Sequence, residues 1–178
     1  NLQASSTLYW MRTSEVLFLR AEAALFWGGE FGNAESLYKE GIAMSFAENG
    51  VQGNVDTYVN SNKVPAATVN DAPKYGFSCV APCQTTAKFS GSNESKLEKI
   101  MIQKYIAMYP NGQEAWTEFR RTGYPKLNSI VPGGNHNTSN ISNERGIRRM
   151  IYPVSFKNTD ATKELYNDAV QKLGGPDK

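Results

Sequence analysis

The sequence is poor in the residues that ligate metals and close folds covalently. It holds two cysteines and one histidine in 178 residues. A structural zinc site takes four ligands, so Cys79, Cys83 and His136 fall short of one, and neither a metal nor any other cofactor is expected. Cys79 and Cys83 stand in a Cys-x-x-x-Cys spacing within a loop-like stretch. They read either as a local disulfide, in an oxidising compartment, or as two free thiols. Charge of one sign is also scarce. The net charge is +2, and no basic stripe with interleaved aromatics occurs, so no nucleic-acid partner is expected. No apolar run approaches the roughly 18 residues that a bilayer span requires. The most apolar stretch, Val16 to Trp27, is broken by Arg20 and Glu22.

Catalytic constellations are missing as well. A hydrolase needs a spaced carboxylate pair, or a nucleophile with a base. Glu114 and Glu118 lie one turn apart on an amphipathic segment, where solvated charge is the ordinary explanation. Only His136 offers an imidazole base, and no nucleophile elbow occurs. The chain is therefore not expected to be an enzyme.

What is present is helical patterning. Hydrophobic residues make up 40% and charged residues 20%, enough apolar content for one helical domain over residues 1–178. Thr13 to Trp27 reads as a helix with Thr13 as N-cap, stopped by Gly28-Gly29. Its apolar residues lie nearly all round, which predicts burial on most sides. Ala34 to Glu48 reads as a second helix, capped by Asn33 and ended by Asn49-Gly50. The short connection makes the two antiparallel neighbours. Gly29, Phe31, Ala34 and Tyr38 give the pair a tetratricopeptide-like character, and one such unit needs neighbours to bury its faces. Further helices are expected over about 94–109, 113–121 and 160–173. In the last of these, Leu165, Ala169 and Leu173, with Tyr166 and Val170, are expected to face the core. Residues 51–93 read as a loop insertion with little regular structure, 123–144 as a second loop and 145–154 as extended or irregular. The fold class is mainly α, with tetratricopeptide-like helix pairs and long irregular loops.

Four segments carry a family resemblance. They are Arg12 to Ala24 (RTSEVLFLRAEAA), Ile102 to Gly112 (IQKYIAMYPNG), Glu114 to Pro125 (EAWTEFRRTGYP), and Arg148-Arg149 with Tyr152-Pro153 and the helix ending Leu173-Gly174-Gly175. In this order they resemble the C-terminal portion of the SusD/RagB-like outer-membrane lipoproteins of Bacteroidetes. The third segment is the most specific, with a Trp, paired arginines and a Gly-Tyr-Pro corner at fixed spacing. Phe156 stands where the family usually has an acidic residue. The resemblance implies a non-enzymatic nutrient-binding protein, taking a glycan or oligosaccharide at the outer face of the outer membrane. It implies delivery to a SusC-like TonB-dependent transporter, and membrane attachment only through a lipid anchor upstream of Asn1. The alternative is a structural or protein-interaction module of tetratricopeptide type without its own ligand site.

A sugar site needs exposed aromatic faces beside amide, hydroxyl and charged groups. Tyr58, Asn60, Asn62, Tyr75 and Phe77 in the insertion are the candidates, against the alternative that the aromatics only pin the loop. Arg120-Arg121 and Arg148-Arg149 could hold an anion. Ion pairing with Glu114, Glu118 or Glu144 is the stronger reading, because no Gly-rich phosphate loop accompanies them.

Overall fold

The structure, a computed structural model, describes residues 9–65, 68–70, 78–80, 82–127 and 152–174, with backbone alone at 68–70 and 78–80. The chain divides into two compact units. The first comprises Asn1–Val69 and Val80–Leu127, the second Asn70–Cys79 and Asn128–Lys178.

The first unit is built on two helices, α1 (Thr13–Trp27) and α2 (Ala34–Glu48), joined by a 3-10 turn at Gly29–Phe31. The expected N-cap of α1 is corrected. Thr13 is the first helical residue, and the N-cap position falls on Arg12, whose side chain caps nothing. Glu48 caps from the far end of α2 instead. Its carboxylate accepts from the Ser14 backbone N–H at 3.1 Å and from the Ser14 hydroxyl at 2.6 Å. This contact, with Arg12 Nη1 donating to Asn49 Oδ1 at 2.9 Å, sets the helices antiparallel. Asn33 caps α2 as its sequence position suggests, accepting from the Ser36 N–H at 3.0 Å.

The helices meet through Phe18, Ala21 and Ala24 on α1 and Leu37, Tyr38 and Ile42 on α2, all buried. Phe18 and Tyr38 pack edge to face, 6.3 Å between ring centroids. Burial on most sides of α1 is corrected to burial on one face. Val16, Leu19, Phe26 and Trp27 are exposed, Trp27 to 73%. Among the described residues the neighbouring helices reach only the Phe18 face.

Helix α3 (Val55–Val59) and helix α4 (Asn93–Ala107) close the core with Val59, Ile100, Met101 and Ala107. Helix α5 (Gly112–Thr122) follows, N-capped by Asn111 and terminated at Gly123, whose φ of 80° places it in the left-handed region. The peptide bonds Tyr109-Pro110 and Tyr124-Pro125 are cis.

The insertion carries more structure than its composition suggests. Besides α3 it forms a two-stranded ribbon, β1 (Thr68–Asn70) paired with β2 (Ser78–Val80). Its far end returns to the core, where Phe89 stacks on Tyr38 with centroids 4.9 Å apart. The Tyr38 hydroxyl donates to the Ala87 carbonyl at 2.7 Å. Burial, with Tyr58 nearby, pushes the Tyr38 phenol well above its ordinary pKa, so it stays a donor throughout the physiological range. Tyr38→Phe is expected to destabilise the protein by about 1 kcal/mol, since one half-buried hydrogen bond is lost. A lowered urea midpoint and faster amide exchange around Ala87 would report it.

The described part of the second unit holds α6 (Val154–Asn158) and α7 (Asp160–Lys172). Tyr152 and Tyr166 pack edge to face at 5.7 Å. The expected inward stripe of this helix is corrected. Leu165 is 70% and Leu173 50% exposed, while Tyr166, Ala169 and Val170 are half-buried. The apolar period is real, but the described residues do not cover it.

Candidate ligand-binding site

The insertion places Tyr58 on α3, a short helix started by Asn54, whose Oδ1 accepts from the Thr57 N–H at 2.8 Å. One side of the Tyr58 ring meets Phe46 of α2, centroids 5.5 Å apart. Its hydroxyl lies 3.0 Å from Gln103 Nε2 and 3.1 Å from Gln103 Oε1, so α3 is pinned to α4 by a two-way hydrogen-bonding pair. Tyr58 is thus half-buried, and it also lines two surface depressions.

The first depression, about 370 Å³, lies between Phe46 and the turn at Gly53, Asn54 and Thr57. The second, about 310 Å³, lies between the 61–65 segment, the 83–87 segment and α4. Tyr58, Ser61 and Lys63 line both. Both volumes sit at the lower end of the range for small-molecule sites, about 300–1,000 Å³.

The other sequence candidates are placed differently. Asn60 is exposed, and its amide donates to the Asp56 carbonyl at 2.8 Å, so it closes the end of α3 and lines neither depression. Asn62 is exposed and also lines neither. Tyr75 and Phe77 lie outside the described residues, as do His136, Glu144 and Arg148-Arg149. Cys83 is a half-buried free thiol on the wall of the second depression, whereas only the backbone of Cys79 is described.

Sequence reasoning missed Lys63, Lys99 and Gln103. A signal existed for the last two. They are four residues apart on α4, and so share a face with each other and interrupt the apolar pattern. Lys99 is only 5% exposed. Its ammonium donates to the Ser90 carbonyl at 2.8 Å, with Ser90 Oγ at 3.4 Å. Burial lowers its pKa, partly opposed by Glu98.

The arginine pair at the end of α5 is structural at Arg121. Its guanidinium forks onto Glu22 of α1 at 2.6 and 2.7 Å and also binds Glu118 at 2.6 Å. Glu22 was not among the expected partners; Glu118 was. On the other side Glu118 takes Lys104 of α4 at 2.8 Å, a lysine only 1% exposed. Burial alone would raise the Glu118 pKa, but the hydrogen bonds and charges of Lys104 and Arg121 outweigh it and hold the carboxyl below its ordinary value. Arg120 stacks over Trp116 at 4.6 Å. At the corner beyond α5, the Tyr124 hydroxyl donates to Glu94 at 2.6 Å. That hydrogen bond, with burial and the nearby carboxylates, pushes its pKa up to about 12.

Among the described residues no group of three or more His, Cys, Asp or Glu side chains could hold a metal ion. Also among them, no helix is long and apolar enough to cross a membrane. The fold and the paired depressions define a helix-pair scaffold with two small adjoining depressions beside Tyr58.

The particular family follows from comparison. The chain belongs to the SusD-like family, the SusD and RagB outer membrane lipoproteins, whose model matches residues 1–178. This places the protein at the outer membrane. Among solved structures it is similar to a SusD homologue from Bacteroides thetaiotaomicron VPI-5482, with 39% identity and a TM-score of 0.77 over 97% of this chain and 36% of that one. It is similar to a SusD homologue from Bacteroides uniformis ATCC 8492, with 35% identity and a TM-score of 0.79 over 100% of this chain and 37% of that one. It is also similar to a chitin-binding SusD homologue from Flavobacterium johnsoniae, with 38% identity and a TM-score of 0.68 over 96% of this chain and 35% of that one. The chain thus spans little more than a third of the length of these relatives. No curated protein matches its sequence.

Proposed function

We propose that the protein binds a nutrient glycan or oligosaccharide at the outward face of the outer membrane and delivers it to a SusC-like TonB-dependent transporter, without performing chemistry on it. The observation that carries this reading is the family match over the whole chain, joined by a 38% identical relative that binds chitin. The depressions beside Tyr58 support it locally. They offer an aromatic ring, hydroxyls, an amide and lysines within a space suited to a small ligand. Arg121 is engaged by Glu22 and Glu118, so it offers no free guanidinium to a ligand.

Calorimetry of the whole protein against a panel of glycans tests the reading, together with pull-down from outer-membrane extracts. Micromolar binding of at least one glycan and recovery of a β-barrel partner are expected. The second reading, a docking module of tetratricopeptide type, is favoured by the exposed Phe26, Trp27 and Phe31 beside the turn of the helix pair. Recovery of the barrel with no glycan bound from the panel would replace the first reading by this one.

A further inference from the structure

The second depression has a one-sided charge pattern. Lys63 and Lys99 both line it, and among the described residues no Asp or Glu does. Tyr58, Ser61, Cys83, Thr85, Thr86 and Gln103 supply the remaining polar groups, and Ile102 and Ile106 give it an apolar floor. A site for a neutral sugar gains from strong acceptors, because every sugar hydroxyl is also a donor. Here the strong groups are donors only. Lys99 adds a second point. It is a buried ammonium whose described partners are the carbonyl and hydroxyl of Ser90, both neutral. Among the described residues it forms no ion pair, and its acidic neighbour Glu98 is turned toward Lys126, at 3.8 Å. A buried ammonium held by neutral groups, with Glu98 only partly offsetting its burial, is under-compensated, and an anion arriving beside it recovers part of that deficit.

We infer that this depression is a subsite for a carboxylated sugar, a hexuronate unit of a glycan, with Lys63 and Lys99 meeting the carboxylate and the Ile102–Ile106 floor meeting the ring. The inference rests on the glycan-binding reading above and names the substrate class. Lys63 is exposed at the rim and provides the charge that the ligand meets first. Lys99 is fixed by Ser90 and provides a charge that does not have to be ordered on binding.

The test uses the whole protein and oligomers of galacturonate, glucuronate and mannuronate, each beside its methyl ester, with a sulfated neutral galactan as a further arm. The expected result is binding of at least one uronate oligomer that falls tenfold or more on esterification. The same loss is expected with Lys63→Gln and with sodium chloride raised from about 50 to 500 mM, while Lys39→Gln, outside the depression, leaves affinity unchanged. Lys99→Gln, checked for an intact thermal transition, should weaken binding at least as much. Equal affinity for acid and ester overturns the inference. So does unchanged affinity in both the Lys63 and Lys99 variants, or preference for the sulfated galactan over every uronate. Binding of neutral glycans alone would remove this subsite and leave the glycan reading standing. Binding of no glycan at all would remove both.

Discussion

Gly41→Leu is expected to destabilise the first unit severely, at or beyond the upper end of the about 1–3 kcal/mol typical of overpacking. A Cβ on Gly41 would lie 2.8 Å from Phe18 Cε1, 2.9 Å from Cζ and 3.0 Å from Cδ1. Three atoms of one ring block it, and that ring is fully buried, so it has no room to turn away. Two effects compete in Gly41→Ala. Alanine gains about 1 kcal/mol of helix propensity over glycine, while the clash with Phe18 opposes it. Because the obstruction is a rigid ring rather than a flexible side-chain tip, the clash wins and the net change is a loss of about 1 kcal/mol. Phe18→Leu in the Gly41→Ala background separates the two. The double variant should be more stable than the sum of the single changes predicts. Urea midpoints of the four proteins give the coupling, and strict additivity would sink the account.

Glu118→Ala is expected to remove about 3–5 kcal/mol, the usual consequence of taking one partner from a buried ion pair. Lys104 would be left almost fully enclosed, with only Glu114, at 3.8 Å, among the described residues to answer its charge. Arg121 would keep Glu22 of α1 but lose its carboxylate partner one turn back on α5. Replacing both members by apolar residues, Lys104→Met with Glu118→Leu, should recover most of the loss, because no charge is then stranded. Acid offers an independent reading of the same group. The folded-state pKa of Glu118 is lowered, so its contribution is complete above the ordinary carboxylate range and is lost as pH falls through the folded value. Thermal melts between about pH 6 and 3 should show a falling Tm in the parent protein and a shallower fall in Glu118→Gln.

Among the described residues the five long helices were legible because their signals are local, whereas the five-residue helices α3 and α6 were not. The boundaries of α2 follow from Asn33 and Asn49-Gly50, within one turn of the element they govern. The cap of α1 was not legible, because Glu48 lies 34 residues away from the Ser14 it binds. The exposed faces of α1 and α7 escaped for a related reason. A helical period shows which residues share a face, never what covers it. The candidate site was half legible. Tyr58, which lines both depressions, stood out because an aromatic in a loop is conspicuous. Lys63, Lys99 and Gln103 were passed over because a lysine or glutamine in a sequence defaults to solvent. Only the approach of the 61–65 and 83–87 segments to α4 turns them into one lining. Glu22, which breaks the most apolar stretch of the sequence, is answered by an arginine 99 positions further on.

The carboxylate of Glu48 has a consequence for how the pair is assembled. The first turn of α1 has its free amide served from the last turn of α2, so neither end is complete while the other is frayed. A chain ending before Glu48 would hold the whole of α1 in sequence yet leave its leading turn unwound. Any force that peels α2 from its C-terminal end would open α1 from its beginning at the same moment.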